Sequence, residues 1–206
     1  MIVKNHKKSF PDFFFIQIGS NDGVTGDPIS KYIKKYYWKG IFVEPVRYLF
    51  KKLKKNYDSH KNVFFENVAI SNKTGLRNFY RIKKNNEPNN PVWYDQLGSF
   101  NKEVVLKHKN LIPNFDKHFI QEKVKCVTFL NLLNKHKIKS VDFLHIDTEG
   151  YDYEIIKLIP FKILKPQMIL FEYVHLSKKD QKKSLELLKK EKYKFLYLNQ
   201  DIFAYL

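Results

Sequence analysis

The 206-residue chain is long enough for one domain with a substantial core. Its single cysteine, Cys126, excludes a disulfide framework and a cysteine-based metal site, and suits a reducing, cytoplasmic compartment. The formal net charge of +17 invites a nucleic-acid reading, but the cations are nearly all lysines spread along the chain; only Arg47, Arg77 and Arg81 offer the guanidinium fork, so specific nucleic-acid binding is disfavoured.

At the N-terminus, residues 1–8 lack the apolar stretch of a signal peptide, and no later run reaches the length of a transmembrane helix, so a soluble intracellular protein with no membrane span is expected. Residues 13–18 are a short, nearly continuous apolar run, a buried strand, closed by the loop Gly19-Ser20-Asn21-Asp22-Gly23. Asp27 as cap and Pro28 at the first helical position open a helix over 28–37. A second buried strand, 40–44, ends in Glu44. Strand, glycine turn and helix, then a carboxylate at the end of the next strand about twenty residues on, build a nucleoside pocket in α/β sheets; the carboxylate can accept hydrogen bonds from both ribose hydroxyls. A helix over 46–57 follows, with Val46, Leu49, Phe50, Leu53 and Tyr57 on one stripe. Residues 62–70 read as a third strand, 71–75 as a turn and 76–82 as a further strand, expected to be antiparallel.

Residues 83–123 are the least regular part, polar and broken by Pro88, Pro91 and Pro113, yet holding Trp93, Tyr94, Leu97 and Phe100. A lid or acceptor-site loop and a surface insertion with its own small cluster both fit that mixture. Order returns with a short strand at 123–127, a helix from Phe129 to residue 137, a core strand at 141–147, a helix at 151–158 and a strand at 168–173. Ser177 and Asp180 form a capping box for a helix over 178–191. The closing strands 193–198 and 201–206 are joined by too few residues for a parallel crossover and must form a hairpin. Strands alternating with helices give a mainly parallel sheet covered on both faces and finished by one antiparallel strand, unlike an ordinary dinucleotide-binding dehydrogenase. Gly19, Gly23 and Gly26 also fail to give Gly-x-Gly-x-x-Gly.

Five motifs in order resemble the FkbM family of S-adenosylmethionine-dependent methyltransferases, over residues 14–177. They are Ile18-Gly19-Ser20-Asn21-Asp22-Gly23, with Ser20 for the usual Ala; Phe42-Val43-Glu44-Pro45; Asn67-Val68-Ala69-Ile70-Ser71; Val127-Thr128-Phe129-Leu130; and the stretch from Val141 to His145-Ile146-Asp147-Thr148-Glu149-Gly150, with His145 where relatives commonly carry Lys. The resemblance implies a class I methyltransferase, Rossmann-like α/β fold: a mainly parallel seven-stranded sheet with an antiparallel terminal strand and helices on both faces. It implies one methyltransferase domain over 1–206 with an irregular insertion or lid at 83–123, and S-adenosyl-L-methionine as cofactor.

The expected cofactor-binding residues are Gly19, Ser20, Asn21, Asp22, Gly23, Glu44, Asn67, Val68, Ala69 and Asp147. Gly19 and Gly23 let the backbone approach the ligand, Glu44 takes the ribose, and by resemblance Asn67, Val68 and Ala69 form the adenine edge. Asp147 ends its strand facing the crevice where the strand order reverses, the place where this class keeps acceptor-site residues. His145 shares its side of the strand and Glu149 lies within reach, so Asp147, His145, Glu149 and His175 are the catalytic candidates. His145 and His175 compete as general base, with Glu172 orienting either one. These groups could instead hold a divalent metal, but no spacing is diagnostic and no metal ligand is assigned. Ser99 is a carry-over candidate for contact with cofactor or acceptor. The expected activity is O-methylation of a sugar, glycan or small-molecule hydroxyl. The alternatives are an RNA or protein methyltransferase and a cofactor-binding protein without turnover.

Overall fold

The computed structural model describes residues 12–206; the N-terminal stretch read for targeting, 1–8, lies outside them. In chain order the elements begin with β1 (Phe14–Ile18), α1 (Ser30–Tyr36), β2 (Lys39–Val43), α2 (Arg47–Asn56), β3 (Val63–Glu66), β4 (Ala69–Ile70), β5 (Gly75–Ile82) and β6 (Gly98–Ser99). There follow α3 (Lys102–Leu106), a 3-10 turn (Lys109–Leu111), α4 (Phe115–His118), β7 (Phe119–Val127), α5 (Phe129–Lys135) and β8 (Phe143–Ile146). The chain closes with α6 (Asp152–Leu158), β9 (Met168–Glu172), α7 (Lys178–Lys190), β10 (Lys194–Tyr197) and β11 (Asp201–Tyr205).

Seven strands form the main sheet in the order β10-β11-β9-β8-β1-β2-β3. All neighbours pair in parallel except at β11, which is antiparallel to both β9 and β10. The expected fold class is the observed one. The antiparallel strand lies one place inside the edge, because the closing hairpin inserts its second arm between its first arm and β9. Two strand expectations change. Residues 62–70 are not one strand: the chain breaks at Asn67-Val68, β3 stays in the main sheet, and β4 pairs in parallel with β7 in a second, four-stranded sheet of order β4-β7-β5-β6. The break is held by Asn67, whose side-chain N–H groups donate to the carbonyls of Glu44 and Pro45 at 2.8 and 3.0 Å. The strand expected at 123–127 begins at Phe119, since its first residues pair antiparallel with the far end of β5.

Caps fall where local chemistry puts them. Asp27 accepts from the backbone N–H groups of Ile29 and Ser30, so α1 starts after Pro28 rather than on it. Ser177 accepts from the N–H of Asp180 and opens α7. One face of the main sheet is aliphatic, with Ile16, Ile41, Leu144 and Ile169 packed on Phe129, Leu132, Ile156 and Leu188 of α5, α6 and α7. The other is aromatic, with Phe15, Phe42, Phe143 and Phe203 packed with Ile33, Trp38, Leu53 and Tyr57.

The aromatic face changes character toward the carboxyl ends of the strands. Strand register places Leu170, His145, Gln17 and Phe42 in one row of that face. Two residues further along each strand the same face carries Glu172, Asp147, Gly19 and Glu44, with Asp201 of β11 opposite Glu172. Gly19 is the gap in this row of carboxylates, and it has to be glycine: its φ is +80°, and a Cβ there would lie 1.7 Å from the carbonyl oxygen of Asp147.

Gly19→Ala should therefore cost about 2–4 kcal/mol. Gly26→Ala has the same left-handed strain but nothing within 4 Å of its Cβ, and should cost about 1–2 kcal/mol. Urea midpoints measure both; equal losses would contradict the close approach at Gly19.

Candidate active site

The chain leaves β1 for β2 on one side and meets β8 on the other, so the strand order reverses at β1 and a crevice opens beyond its carboxyl end. Two clefts occupy that crevice. The first spans about 520 Å³, part of it open to solvent, and is walled by Val46, Val68, Ala69 and Phe79, with Glu44 at one end and Phe100 and Tyr151 over it. Glu44 is 2 % exposed. Its carboxylate accepts the N–H of Asn21 at 2.8 Å and of Val46 at 2.7 Å. Burial nevertheless pushes its pKa up to about 8, against those two hydrogen bonds, which favour the charged form. Arg77 braces the roof: its guanidinium carbon sits 4.3 Å from the Phe100 ring centroid, and Nη1 donates to the hydroxyls of Tyr151 and Ser71 at 2.9 and 2.6 Å.

The second cleft encloses about 1060 Å³, part of it open to solvent. Its floor includes Gln17 and His145, its walls Asp147, Glu149, Glu172 and His175, and the segment between β5 and β7 covers it with Trp93, His108 and Leu111. Gln17 and His145 are 2 % and 4 % exposed. Gln17 donates through Nε2 to Asp27 at 2.8 Å, but its Oε1, like His145 Nδ1, is enclosed without a hydrogen-bond partner among the described residues. Burial pushes the His145 pKa down to about 4, so the ring is neutral at physiological pH. The two clefts share Gly19, Asn21, Gln96, Asp147 and Glu149.

The shared wall is charged. Burial, then the neighbouring Glu172, Glu149 and Asp152, raises the pKa of Asp147 well above the usual carboxylate range. Asp152 is fully buried and likewise raised; it accepts from the Thr148 hydroxyl at 3.0 Å and the Glu172 N–H at 3.3 Å, tying the β8 loop to the end of β9. His175 Nδ1 lies 3.0 Å from Glu149 Oε2 and 2.9 Å from Glu172 Oε2, and these two carboxylates raise its pKa to about 10. Glu149 holds a left-handed φ of +50°. Its carbonyl is clamped by the hydroxyl of fully buried Ser99 at 2.7 Å, which also accepts the N–H of Asn101 at 3.0 Å.

Of the residues singled out from the sequence, the structure brings Gly19, Ser20, Asn21, Glu44, Val68, Ala69, His145, Asp147, Glu149 and His175 to the cleft walls. Asp22, Gly23 and Asn67 line neither cleft. The Asp22 carboxylate folds back onto the N–H groups of Val24 and Thr25 and the Thr25 hydroxyl. Gly23 is small for packing: a Cβ there would lie 2.5 Å from Leu53. Asn67 holds the Glu44-Pro45 backbone and has no amide hydrogen left over for an adenine edge. Ser20 does border the second cleft, but its hydroxyl donates to the Gln17 carbonyl at 2.9 Å. Ser99 reaches the β8 loop rather than a ligand. Neither histidine is a free base: His145 is sealed in the floor, and His175 is held protonated by its two carboxylates. Trp93, from the aromatic segment expected to face the acceptor, does border the second cleft. Gln17, Gln96, His108 and Tyr151 were missed from the sequence; only the row partner Gln17, a polar residue inside an apolar strand, carried a signal.

A family model described as the methyltransferase FkbM domain matches residues 17–205. The chain belongs to the FkbM methyltransferase family. Among solved structures, this FkbM chain is similar to a methyltransferase FkbM from Methylobacillus flagellatus KT, with a TM-score of 0.56 at 11 % identity, covering 95 % of this chain and 44 % of that one. It thus spans less than half the length of that relative. A METTL16 MTase domain matches with a TM-score of 0.52 at 11 % identity, over 98 % of this chain and 63 % of the other. At such identities the likeness establishes the Rossmann-like methyltransferase fold. A comparison with curated proteins finds no significant match. No helix among the described residues is long and apolar enough to cross a membrane.

Ser99→Ala leaves the Glu149 carbonyl and the Asn101 N–H without their partner and should destabilise the fold by about 1–3 kcal/mol in chemical denaturation. An unchanged midpoint would show that the clamp carries no weight.

Proposed function

We propose that this FkbM protein is an S-adenosylmethionine-dependent O-methyltransferase whose acceptor is a hydroxyl of a sugar, glycan or other small polar molecule. The observation that carries the reading is the pair of unlike clefts that meet at Gly19 and Asp147. The first is largely apolar, with the buried Glu44 carboxylate at one end. Val46, Val68, Ala69 and Phe79 offer the apolar walls a purine needs, and Glu44 offers a carboxylate already fixed by two backbone N–H groups. The residues therefore suit the cofactor. Bound there, S-adenosylmethionine supplies a methyl carbon made electrophilic by its sulfonium, and the acceptor's O–C bond forms as the S–C bond breaks.

The second cleft suits a polyhydroxylated acceptor. Gln17, Asp147, Glu149 and Glu172 accept hydrogen bonds, and Trp93 presents an aromatic face of the kind that packs on sugar rings. Asp147, on the wall common to both clefts, is the residue placed to receive the hydroxyl proton in its ionised form, which its raised pKa makes the stronger base; its loss costs about a hundred- to ten-thousand-fold. His145 and Gln17 lie beneath it as the polar floor. Holding acceptor and donor in line across the shared wall supplies much of the remaining rate. An RNA acceptor draws support from the net charge of +17, but the acceptor cleft itself is walled by carboxylates, which repel phosphates. The domain reading follows the same line: 83–118 covers the acceptor cleft as part of one methyltransferase unit with the two sheets.

Calorimetry with S-adenosylhomocysteine tests the donor cleft. Ligand hydroxyls favour the ionised carboxylate, whereas free Glu44 sits near pKa 8, so binding lowers that pKa and releases a proton. Affinity should rise by up to about tenfold per pH unit between about pH 6 and 8 and level off above. Glu44→Gln should weaken binding at least about tenfold, the size of one lost charged hydrogen-bonding group. A flat pH profile with no proton release removes Glu44 from the ribose. For the acceptor, a methyl-transfer screen over sugars, nucleotide-sugars and RNA comes first. With the acceptor found, Asp147→Asn should lower kcat at least about a hundredfold while retaining S-adenosylhomocysteine binding; normal turnover excludes Asp147 from the chemistry.

A further inference from the structure

The wall shared by the clefts contains a charge arrangement that the methyl-transfer reading leaves unexplained. Glu149 Oε2 and Glu172 Oε2 both lie within 3.0 Å of one imidazole nitrogen, His175 Nδ1. One nitrogen carries one proton, which cannot serve both oxygens, and the geometry favours Glu172. Glu149 Oε2 is consequently a buried carboxylate oxygen with no hydrogen bond of its own. Among the described residues, His175 is the only cationic partner of either carboxylate. Three more acids stand beside them: Asp152 and Asp201 help raise the pKa of Asp147, and Asp201 that of Glu172. No Lys or Arg among the described residues pairs with Glu149 or Glu172, in a chain that has 38 of them.

We infer that Glu149, Glu172 and His175 form a binding site for a divalent first-row transition cation at the mouth of the acceptor cleft. One ligand atom from each lies within 4.8 Å of the others. The two nitrogen–oxygen separations of 2.9 and 3.0 Å equal the edge of about 3 Å between adjacent ligands held at about 2.1 Å from one ion. Two carboxylates with one imidazole suit a divalent first-row cation that takes oxygen ligands readily and accepts an imidazole, such as Mn²⁺. The ion takes the place of the Nδ1 proton, which is released to solvent, and three protein ligands leave coordination positions for water or for a hydroxyl. A second observation marks the same cleft as built for a polar occupant: His145 and Gln17, 4 % and 2 % exposed, each border it with an enclosed polar atom that has no partner. The backbone is set for the ligands too. The left-handed φ of Glu149, clamped through Ser99, turns its side chain toward His175, and a Cβ on Gly150 would lie 3.1 Å from the His175 carbonyl.

The cation's role rests on the methyl-transfer reading. Bound to an acceptor hydroxyl, it would hold the oxygen and ease loss of its proton, the part of the chemistry for which neither histidine is free. The binding site itself is independent of that role.

The test is a titration of the full, chelator-treated chain with Mn²⁺, followed by electron paramagnetic resonance of the free ion. One ion per chain is expected. Affinity should fall at least tenfold in Glu172→Gln and in His175→Phe, and stay unchanged in Glu154→Gln, which removes an exposed carboxylate of α6. If either site variant fails to fold, Glu149→Gln serves in its place. No saturable binding of Mn²⁺ to the wild-type chain overturns the proposal, as does binding that the site variants leave unchanged. S-adenosylhomocysteine binding, measured with chelator present, separates the two readings: it should persist without the cation, and its absence counts against the donor cleft and not against the metal site.

Discussion

Where β1 and β8 end, two backbones pass so closely that no side chain fits between them. The Asp147 carbonyl occupies the place a Cβ of residue 19 would take, 1.7 Å from that position. The contact is a consequence of parallel pairing continued one residue past each strand, with the N–H of Asp147 donating to the Ile18 carbonyl. Everything at the site depends on it. It leaves a gap in a row of acidic side chains, sets Asp147 beside that gap, and makes one residue the common wall of two clefts.

The row also explains how a strongly basic protein presents an acidic cleft. Many of the lysines lie on helix surfaces, where their solvation is cheap. The acids sit at the ends of β2, β8, β9 and β11, where the aromatic face of the sheet gives way to the crevice. Burial there is expensive for charge, and several of these carboxyls are pushed toward their neutral forms. Such crowding is what functional sites show when bound partners are meant to supply the missing hydrogen bonds and positive charge. The antiparallel strand contributes directly: only because β11 runs against β9 does Asp201, at its start, stand opposite Glu172 at the end of β9.

Much of the main sheet was legible in the sequence, because buried parallel strands read as apolar runs and the helices between them carry their own caps at Asp27 and Ser177. The closing hairpin followed from the shortness of its turn. The break after Glu66 was not legible, since Asn67 and Val68 continue a strand-like pattern and only a contact with Glu44, more than twenty positions away, interrupts it. The start of β7 at Phe119 was hidden for the same reason: its partner lies on β5. At the site, residues placed by the strand-end rule, Gly19, Glu44 and Asp147, do stand on the cleft walls. Small polar residues within turns were harder to place, because Asp22 and Asn67 bond to nearby backbone instead of facing the crevice. The convergence of Glu149 and Glu172 on His175 joins loops after two different strands, and no spacing along the chain encodes it. Trp93 and His108 belong to a segment whose short helices are fixed by its own cluster around Leu97, Val105, Ile112 and Phe115.

If the apolar cleft ending at Glu44 is the donor site, Asp147 separates the cofactor from the acceptor. A crystal structure of the chain with S-adenosylhomocysteine tests this most directly. The expected complex has ribose hydroxyls on the Glu44 carboxylate, the purine among Val46, Val68, Ala69 and Phe79, and the sulfur at the wall formed by Gly19 and Asp147. A ligand seated elsewhere, or one that leaves Glu44 bonded only to Asn21 and Val46, would contradict it.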